Sequence, residues 1–315
     1  MKKKLIILGC SGFIGKNLAI YFSKKNYNLF GTYNKRKPKL KKIKLFKVDL
    51  TSKKNVDKVI KGKDIVIQAA ATTSGAKDII SKPYIHVTDN AVMNSLITRS
   101  AYDHRVKHII IFSCTVMYRS SDKPLKEKDF NPNKEMYSKY FGAGWMKVFV
   151  EKMSEFYSRL GLNKYTLIRH SNIYGPHDKF DLDKSHVFGA TLTKVLKNKK
   201  KYISVWGDGS EKRDLLYIDD LIRFVELAIK RQTKKFEIYN VGYGRAITIS
   251  DLVKKIIKIS NKNLKIKYDR KKPTLKTKVS LNCNLAKKDL GWYPKIAINE
   301  GIKKTIEWYN KSDYL

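Results

Sequence analysis

Short apolar runs alternate with longer amphipathic stretches through the first half of the chain. "KLIILG", "NLFGTY", "IKLFKVDL", "DIVIQAA" and "HIIIFSC" read as strands, and helical patterns begin at Lys16, near Val56 and at Asp89. Strands that alternate with helices specify βαβ units and a parallel sheet. An unbroken run such as "HIIIF" suits a strand covered on both faces. The second half, from about "NIYGPHDKF", carries more loops. "EIYNVG" and a final helix over "INEGIKKTIEWY" keep the α/β character. The pattern predicts an α/β fold: a Rossmann-type, doubly wound parallel sheet over residues 1–170, with a later return over about 214–242. A smaller C-terminal α/β substrate domain takes 171–213 and 243–315.

Composition excludes several alternatives. A chain of 315 residues with 42% hydrophobic content can bury a real core and is too apolar for disorder. No apolar run approaches the roughly 20 residues that span a bilayer. The basic, apolar start "MKKKLIIL" imitates a signal peptide, but it runs straight into a glycine motif and reads as a buried first strand. Cys10, Cys114 and Cys283 are far apart and odd in number. They show no metal spacing, so no metal site is expected, and they suggest a reducing cytoplasm. The net charge of +39 raises the question of nucleic acid. Eleven of the 67 basic residues are arginine and the rest are lysines scattered as pairs. Nucleic-acid readers favour clustered arginine with aromatics between. The excess therefore reads as composition, with neither a nucleic-acid nor a membrane partner, though it favours the approach of an anionic substrate.

Candidate chemistry begins at "GCSGFIG". Gly9, Ser11, Gly12, Phe13, Ile14 and Gly15 form a G-x-x-G-x-x-G turn between a strand and a helix, where backbone comes close to a pyrophosphate at a helix N-terminus. After the next strand, an acid would accept from the ribose 2′-hydroxyl of NAD. "GTYNKRKPK" has none and offers Asn34 and Arg36 among lysines. Cations suit a 2′-phosphate, so NADP(H) is the expected cofactor, with NAD as the alternative.

These motifs, with "VDLT", "QAAATTSG", "DNAVMNSLI", "FSCTVMY", "RHSNIYGP", "VWGDGSEKRDLLYIDD" and "LGWYP", resemble the extended short-chain dehydrogenase/reductases that act on nucleotide sugars, over nearly the whole length. Within that branch "NIYGPHDKFDLDKSHV" is most similar to the GDP-fucose synthases. The resemblance implies reduction of a 4-keto nucleoside diphosphate sugar, GDP favoured, for surface-glycan sugars. It adds Asp49, Leu50, Ala69, Ala70, Ala71 and Lys147 to the cofactor residues. It implies a homodimer through the helices "DNAVMNSLITRSAY" and "GWMKVFVEKMSEFYSRL", with Met93, Leu96, Val148, Met153 and Phe156 as candidates and some of these facing the parent sheet.

The family's catalytic group is a Ser or Thr, a Tyr, and a Lys four residues after the Tyr. In helical register the lysine is Lys147, spaced from Glu155 and Tyr157 as the family has it. The tyrosine slot then holds Ala143. Tyr140 is seven residues from Lys147, roughly 10 Å along a helix, too far simply to take over. Cys114 occupies the Ser/Thr slot and Thr115 follows. A thiol is a poor donor, so Thr115 is the expected assistant. Either the chain is a natural pseudoenzyme, or a catalytic tyrosine has been replaced to trap a substrate.

For epimerisation the family pairs a cysteine with a histidine. His186 matches the histidine, but Val116 fills the cysteine slot, which points to simple reduction. The Asp-Glu pair of the dehydratases is missing at Thr115 and Val116. By the same resemblance Asn172 and Arg213 contact the diphosphate, Lys179 adds a phosphate contact, and Val205 and Trp206 lie near the nucleotide or sugar. An NAD-retaining 4-epimerase and a non-catalytic nucleotide-sugar binder are the alternative functions. The sugar, deoxyhexose or heptose, is left open.

Overall fold

The computed structural model describes residues 1–73, 81–182, 185–272, 274 and 277–312. Its frame is a seven-stranded parallel sheet. The first strand, Lys4–Leu8 (β1), leads through helix Phe13–Phe22 (α1) to Asn28–Tyr33 (β2) and Lys44–Lys47 (β3). Helix Lys53–Ile60 (α2) then returns the chain to Ile65–Gln68 (β4) on the other side of β1. Helix Thr88–Asp103 (α3), His108–Phe112 (β5), helix Phe141–Arg159 (α4) and Lys164–His170 (β6) continue outward. The strand order is β6-β5-β4-β1-β2-β3, with Phe236–Val241 (β10) on the outer side of β6, all pairs parallel. The direction of winding reverses between β1 and β4, and ligands of such sheets sit beyond the strand ends at that point.

Side-chain alternation divides the core. Leu5, Ile7, Ile65, Ile67, Ile110 and Phe112 enter one layer with Leu18 and Phe22 of α1. Ile6, Leu8, Val66, Ile109 and Ile111 enter the other, with Met93 and Ile97 of α3 and Met146 and Val150 of α4. Period-two strands with both faces apolar can only be satisfied by helices on both sides.

The remainder builds smaller sheets above the strand ends. Asn172–Tyr174 (β7) precedes helix Val187–Leu196 (α5), Tyr202–Trp206 (β8) and Lys212–Tyr217 (β9). Helix Ile218–Arg231 (α6) packs on α1 and leads back to Phe236–Val241 (β10), the outer strand of the large sheet. Ala246–Thr248 (β11), helix Ile249–Ile259 (α7), Lys265–Asp269 (β12), Lys278–Val279 (β13) and helices Asn284–Leu290 (α8) and Ile298–Asn310 (α9) complete the chain. Strand β9 pairs with β7, β11 and β13, and β12 pairs with β8. Trp292 of "LGWYP" is fully buried and its indole N–H donates to the Asp220 carbonyl (2.9 Å), tying the C-terminal segment to α6. Among the described residues no helix is long and apolar enough to cross a membrane.

Candidate active site

A cleft of about 1100 Å³ lies at the carboxyl ends of the large sheet and is roofed by the smaller sheets. Its floor begins at the glycine turn. Gly9 has φ +89°, and a Cβ there would lie 2.7 Å from the Ala70 Cα. A Cβ on Gly15 would overlap the Gly9 carbonyl oxygen. The turn is held by the Gly9 N–H donating to Thr32 Oγ1 (3.0 Å), the Cys10 N–H donating to the Thr32 carbonyl (2.7 Å) and the Gly12 N–H donating to the Gly9 carbonyl (3.0 Å). Cys10 itself is a core residue, its thiol pushed up to about 12 by burial. This bare backbone, opening onto the N-terminus of α1, fits the pyrophosphate of a dinucleotide.

Of the anticipated cofactor residues, Gly9, Ser11, Gly12, Phe13, Ile14, Asn34, Asp49, Leu50, Ala69, Ala70, Ala71 and Lys147 all line the cleft. Gly15 lies beneath the turn, and Arg36 is exposed and outside the lining. Ser74 and Gly75 of "QAAATTSG" and Lys184 of "KSHV" fall outside the described residues.

The cleft's centre is formed by α4 and the ends of β5 and β6. Ala143 and Lys147, one turn apart on α4, both face it, with Cys114, Thr115 and Val116 opposite. The Lys147 ammonium donates to the Phe112 carbonyl (2.7 Å). Desolvation lowers its pKa, while Cys114 and Glu151 pull it back up. Burial raises the pKa of the Cys114 thiol, which Lys147 opposes. Tyr140 ends a short 3₁₀ turn before α4 and still lines the cleft. His170, at the end of β6, gives its Nδ1 proton to the Ser171 carbonyl (2.7 Å), since a carbonyl only accepts. Burial, reinforced by Lys147 and His186, holds its ring down to about 4. It is a neutral acceptor at Nε2.

Beneath this surface runs a buried polar network. The Glu151 carboxylate, 3% exposed, accepts from Ser113 Oγ (2.7 Å) and from Arg169 Nε (2.9 Å) and Nη2 (2.6 Å). Arg169 also donates to the Tyr118 hydroxyl and the Glu127 carbonyl (both 2.9 Å), and Tyr118 donates to Asn240 Oδ1 (2.8 Å). Glu151 follows Lys147 by one turn, Ser113 precedes Cys114, and Arg169 precedes His170. The network therefore fixes the backbones that carry three walls of the cleft. Sequence reasoning passed over it because its members are far apart in the chain.

The other end is formed by β7 to β9, α5 and α7. Asn172, Lys179, His186, Val205, Trp206 and Arg213 all line it. Asn172 donates to the Asp214 carbonyl (3.2 Å), Lys179 to the Thr73 carbonyl (3.0 Å), and Arg213 Nη1 to the carbonyls of Lys212 (2.8 Å) and Thr277 (2.9 Å). His186 is the N-cap residue of α5. Glu211 and Asp178 also line this end, and neither was singled out from the sequence. Asp178 is buried, which pushes its carboxyl up to about 7. Among the described residues no group of three His, Cys, Asp or Glu side chains is placed to hold a metal.

A family model described as "NAD dependent epimerase/dehydratase family" matches residues 5–242. The chain belongs to that family. Among its relatives, a GDP-L-colitose synthase of Yersinia pseudotuberculosis is 27% identical over 314 residues, covering 97% of each chain. A GDP-L-fucose synthase of Azorhizobium caulinodans is 25% identical over 319 residues, covering 98% of this chain and 96% of that one. In structure it is similar to a UDP-glucose 4-epimerase of Thermotoga maritima crystallised with UDP-glucose, with a TM-score of 0.86 at 23% identity, covering 98% and 99% of the two chains. The chain is thus an extended short-chain dehydrogenase/reductase of the nucleotide-sugar-modifying epimerase/reductase group, with the Rossmann-type sheet that its sequence pattern predicts.

Proposed function

We propose that this protein reduces the 4-keto group of a nucleoside diphosphate sugar, GDP favoured, with NADPH, and that it turns over slowly because Ala143 stands where a general acid is needed. One observation carries the reading: the glycine turn, Lys147 with Ala143, and Asn172 with Arg213 all line a single cleft. A dinucleotide laid on the turn and a diphosphate at Arg213 then meet at Lys147. The nicotinamide supplies a hydride when bound. The chain's own residues do the rest. The Arg213 fork and the Asn172 amide hold the diphosphate. The Lys147 ammonium orients what lies over it and favours negative charge developing on the ketone oxygen. In this reading the Thr115 hydroxyl passes a proton to that oxygen and takes one back from solvent, whereas the Ala143 methyl moves none. His186 faces the cleft, but Val116 offers no proton-transfer partner, so reduction proceeds without epimerisation.

The test is Ala143→Tyr, assayed beside the unsubstituted protein with NADPH and NADH on GDP-, UDP-, CDP- and dTDP-4-keto sugars. A positioned general acid contributes about 10²–10⁴ in rate. Turnover of a GDP-4-keto sugar should rise by at least about 10², giving a 4-hydroxyl product with little solvent deuterium at the carbons flanking the ketone. Equal inertness of both proteins on every substrate overturns the reading. Interconversion of 4-hydroxy sugars without consumption of NADPH replaces it by a 4-epimerase. We further propose that the protein works in the cytoplasm as a homodimer.

A further inference from the structure

Glu211 is an acid in a place that a diphosphate site would not select. It stands two residues before Arg213, where β9 begins. Residues two apart on extended chain point to one face, and both side chains line the cleft. Two residues of strand advance about 6–7 Å, comparable with the distance from a diphosphate to the base it carries. Around Glu211 the same end of the cleft offers Ile203, Val205, Trp206, Ile249 and Val253, an apolar wall suited to a flat ring. The Glu211 backbone is fixed, its carbonyl accepting from the Ile249 N–H (2.9 Å). Its carboxylate oxygen Oε1 is buried and has no hydrogen-bond partner.

We infer that Glu211 reads the nucleotide base and selects guanine, an inference that rests on the nucleotide-sugar reading above. An ionised carboxylate only accepts hydrogen bonds. Guanine presents two adjacent donors, N1–H and the 2-amino group, which match the two carboxylate oxygens. Uracil and thymine present one N–H between two carbonyls that repel a carboxylate. Cytosine and adenine offer a single amino group beside a ring acceptor. A buried acceptor awaiting donors rejects a ligand that cannot supply them far more strongly than an apolar wall rejects a wrong shape.

The experiment is calorimetric titration of the full chain and of Glu211→Gln with GDP, IDP and UDP. IDP keeps N1–H and lacks the 2-amino group. The unsubstituted protein should bind GDP at least about tenfold more tightly than UDP, with IDP between, since a lost buried hydrogen bond to a charged group costs about one tenfold step or more. Glu211→Gln should reduce the preference of GDP over UDP to less than about threefold while leaving NADPH affinity and melting temperature unchanged. An equal loss for all three nucleotides would assign the carboxylate to the ribose and overturn the inference. A GDP affinity that ignores the substitution overturns it as well. UDP binding most tightly to both proteins refutes guanine reading and leaves the nucleotide-sugar reading standing. Failure of the unsubstituted protein to bind any of the three refutes both.

Discussion

Removing the Glu151 carboxylate would leave the Arg169 guanidinium, 4% exposed, with the Tyr118 hydroxyl and the Glu127 carbonyl but without the carboxylate that pairs with it directly. Breaking a buried ion pair from one side costs about 3–5 kcal/mol. Glu151→Ala should lose that much in urea unfolding, whereas Lys152→Ala, which breaks a solvent-exposed pair with Glu155, should lose less than about 1 kcal/mol. His108 gives a second test at this scale. Thr166 donates its one proton to Gln232, so the His108 Nε2–H must be the donor to Thr166 Oγ1 (2.7 Å). Burial holds the ring down to about 3. Its folded pKa lies below the unfolded value of about 6.5, so the unfolded chain binds the extra proton. The stability is therefore present above pH 6.5 and is lost as pH falls toward 3. His108→Gln should flatten part of the fall in urea midpoint between pH 7 and 4, and an unchanged pH slope would show that the ring is not held neutral. Of these residues, the sequence marked only those inside motifs. The glycine turn stood out by its spacing within one strand-turn-helix unit, and Ala143 and Lys147 were picked out because the family resemblance fixes their separation on one helix. Glu151 and Arg169 were not, since only the crossing of α4 over β6 brings them together. Glu211 carried a readable sign, its two-residue step from Arg213, which its lysine-rich surroundings obscured.

At the scale of elements, α4 is divided lengthwise. Met146 and Val150 are buried against the large sheet, while Phe141, Phe149, Phe156 and Leu160 are exposed on its outer side. Val92 of the neighbouring α3 is exposed as well. Residues spaced by three, four and seven or eight form one stripe on a helix, and a row of large exposed apolar side chains marks an association surface. Met93 and Val148, two of the residues anticipated for a dimer, are buried in this chain, and Phe156 is open. Phe149→Glu and Phe156→Glu should each give a monomer by light scattering at micromolar concentration if the stripe pairs with its copy, and an unsubstituted protein that is already monomeric refutes the pairing. The strands of the large sheet were legible because they are short, unbroken and apolar. The pairing of β8 with β12 was not. "KIKYD" is largely exposed, and its lysines resemble those of any loop in this chain.

At the scale of the molecule, the cleft is walled by residues from Gly9 to Thr274. No single segment encloses it. Whatever binds there touches both the parallel sheet and the smaller sheets laid over its end, and so acts as a removable staple between parts of the chain far apart in sequence. Unfolding either part expels the ligand, and free ligand must resist unfolding of the whole. At a hundredfold excess over its dissociation constant this amounts to about 2.7 kcal/mol. NADPH and the right nucleotide should each raise the melting temperature, and together raise it further, while a nucleotide with the wrong base, bound about tenfold more weakly, should raise it by about half as much at the same concentration. No shift with any dinucleotide or nucleotide would mean that nothing of this kind bridges the cleft. A protein that transforms its substrate poorly can thus still disclose it, because heat measures how firmly a ligand is held and asks nothing about what happens to it afterwards.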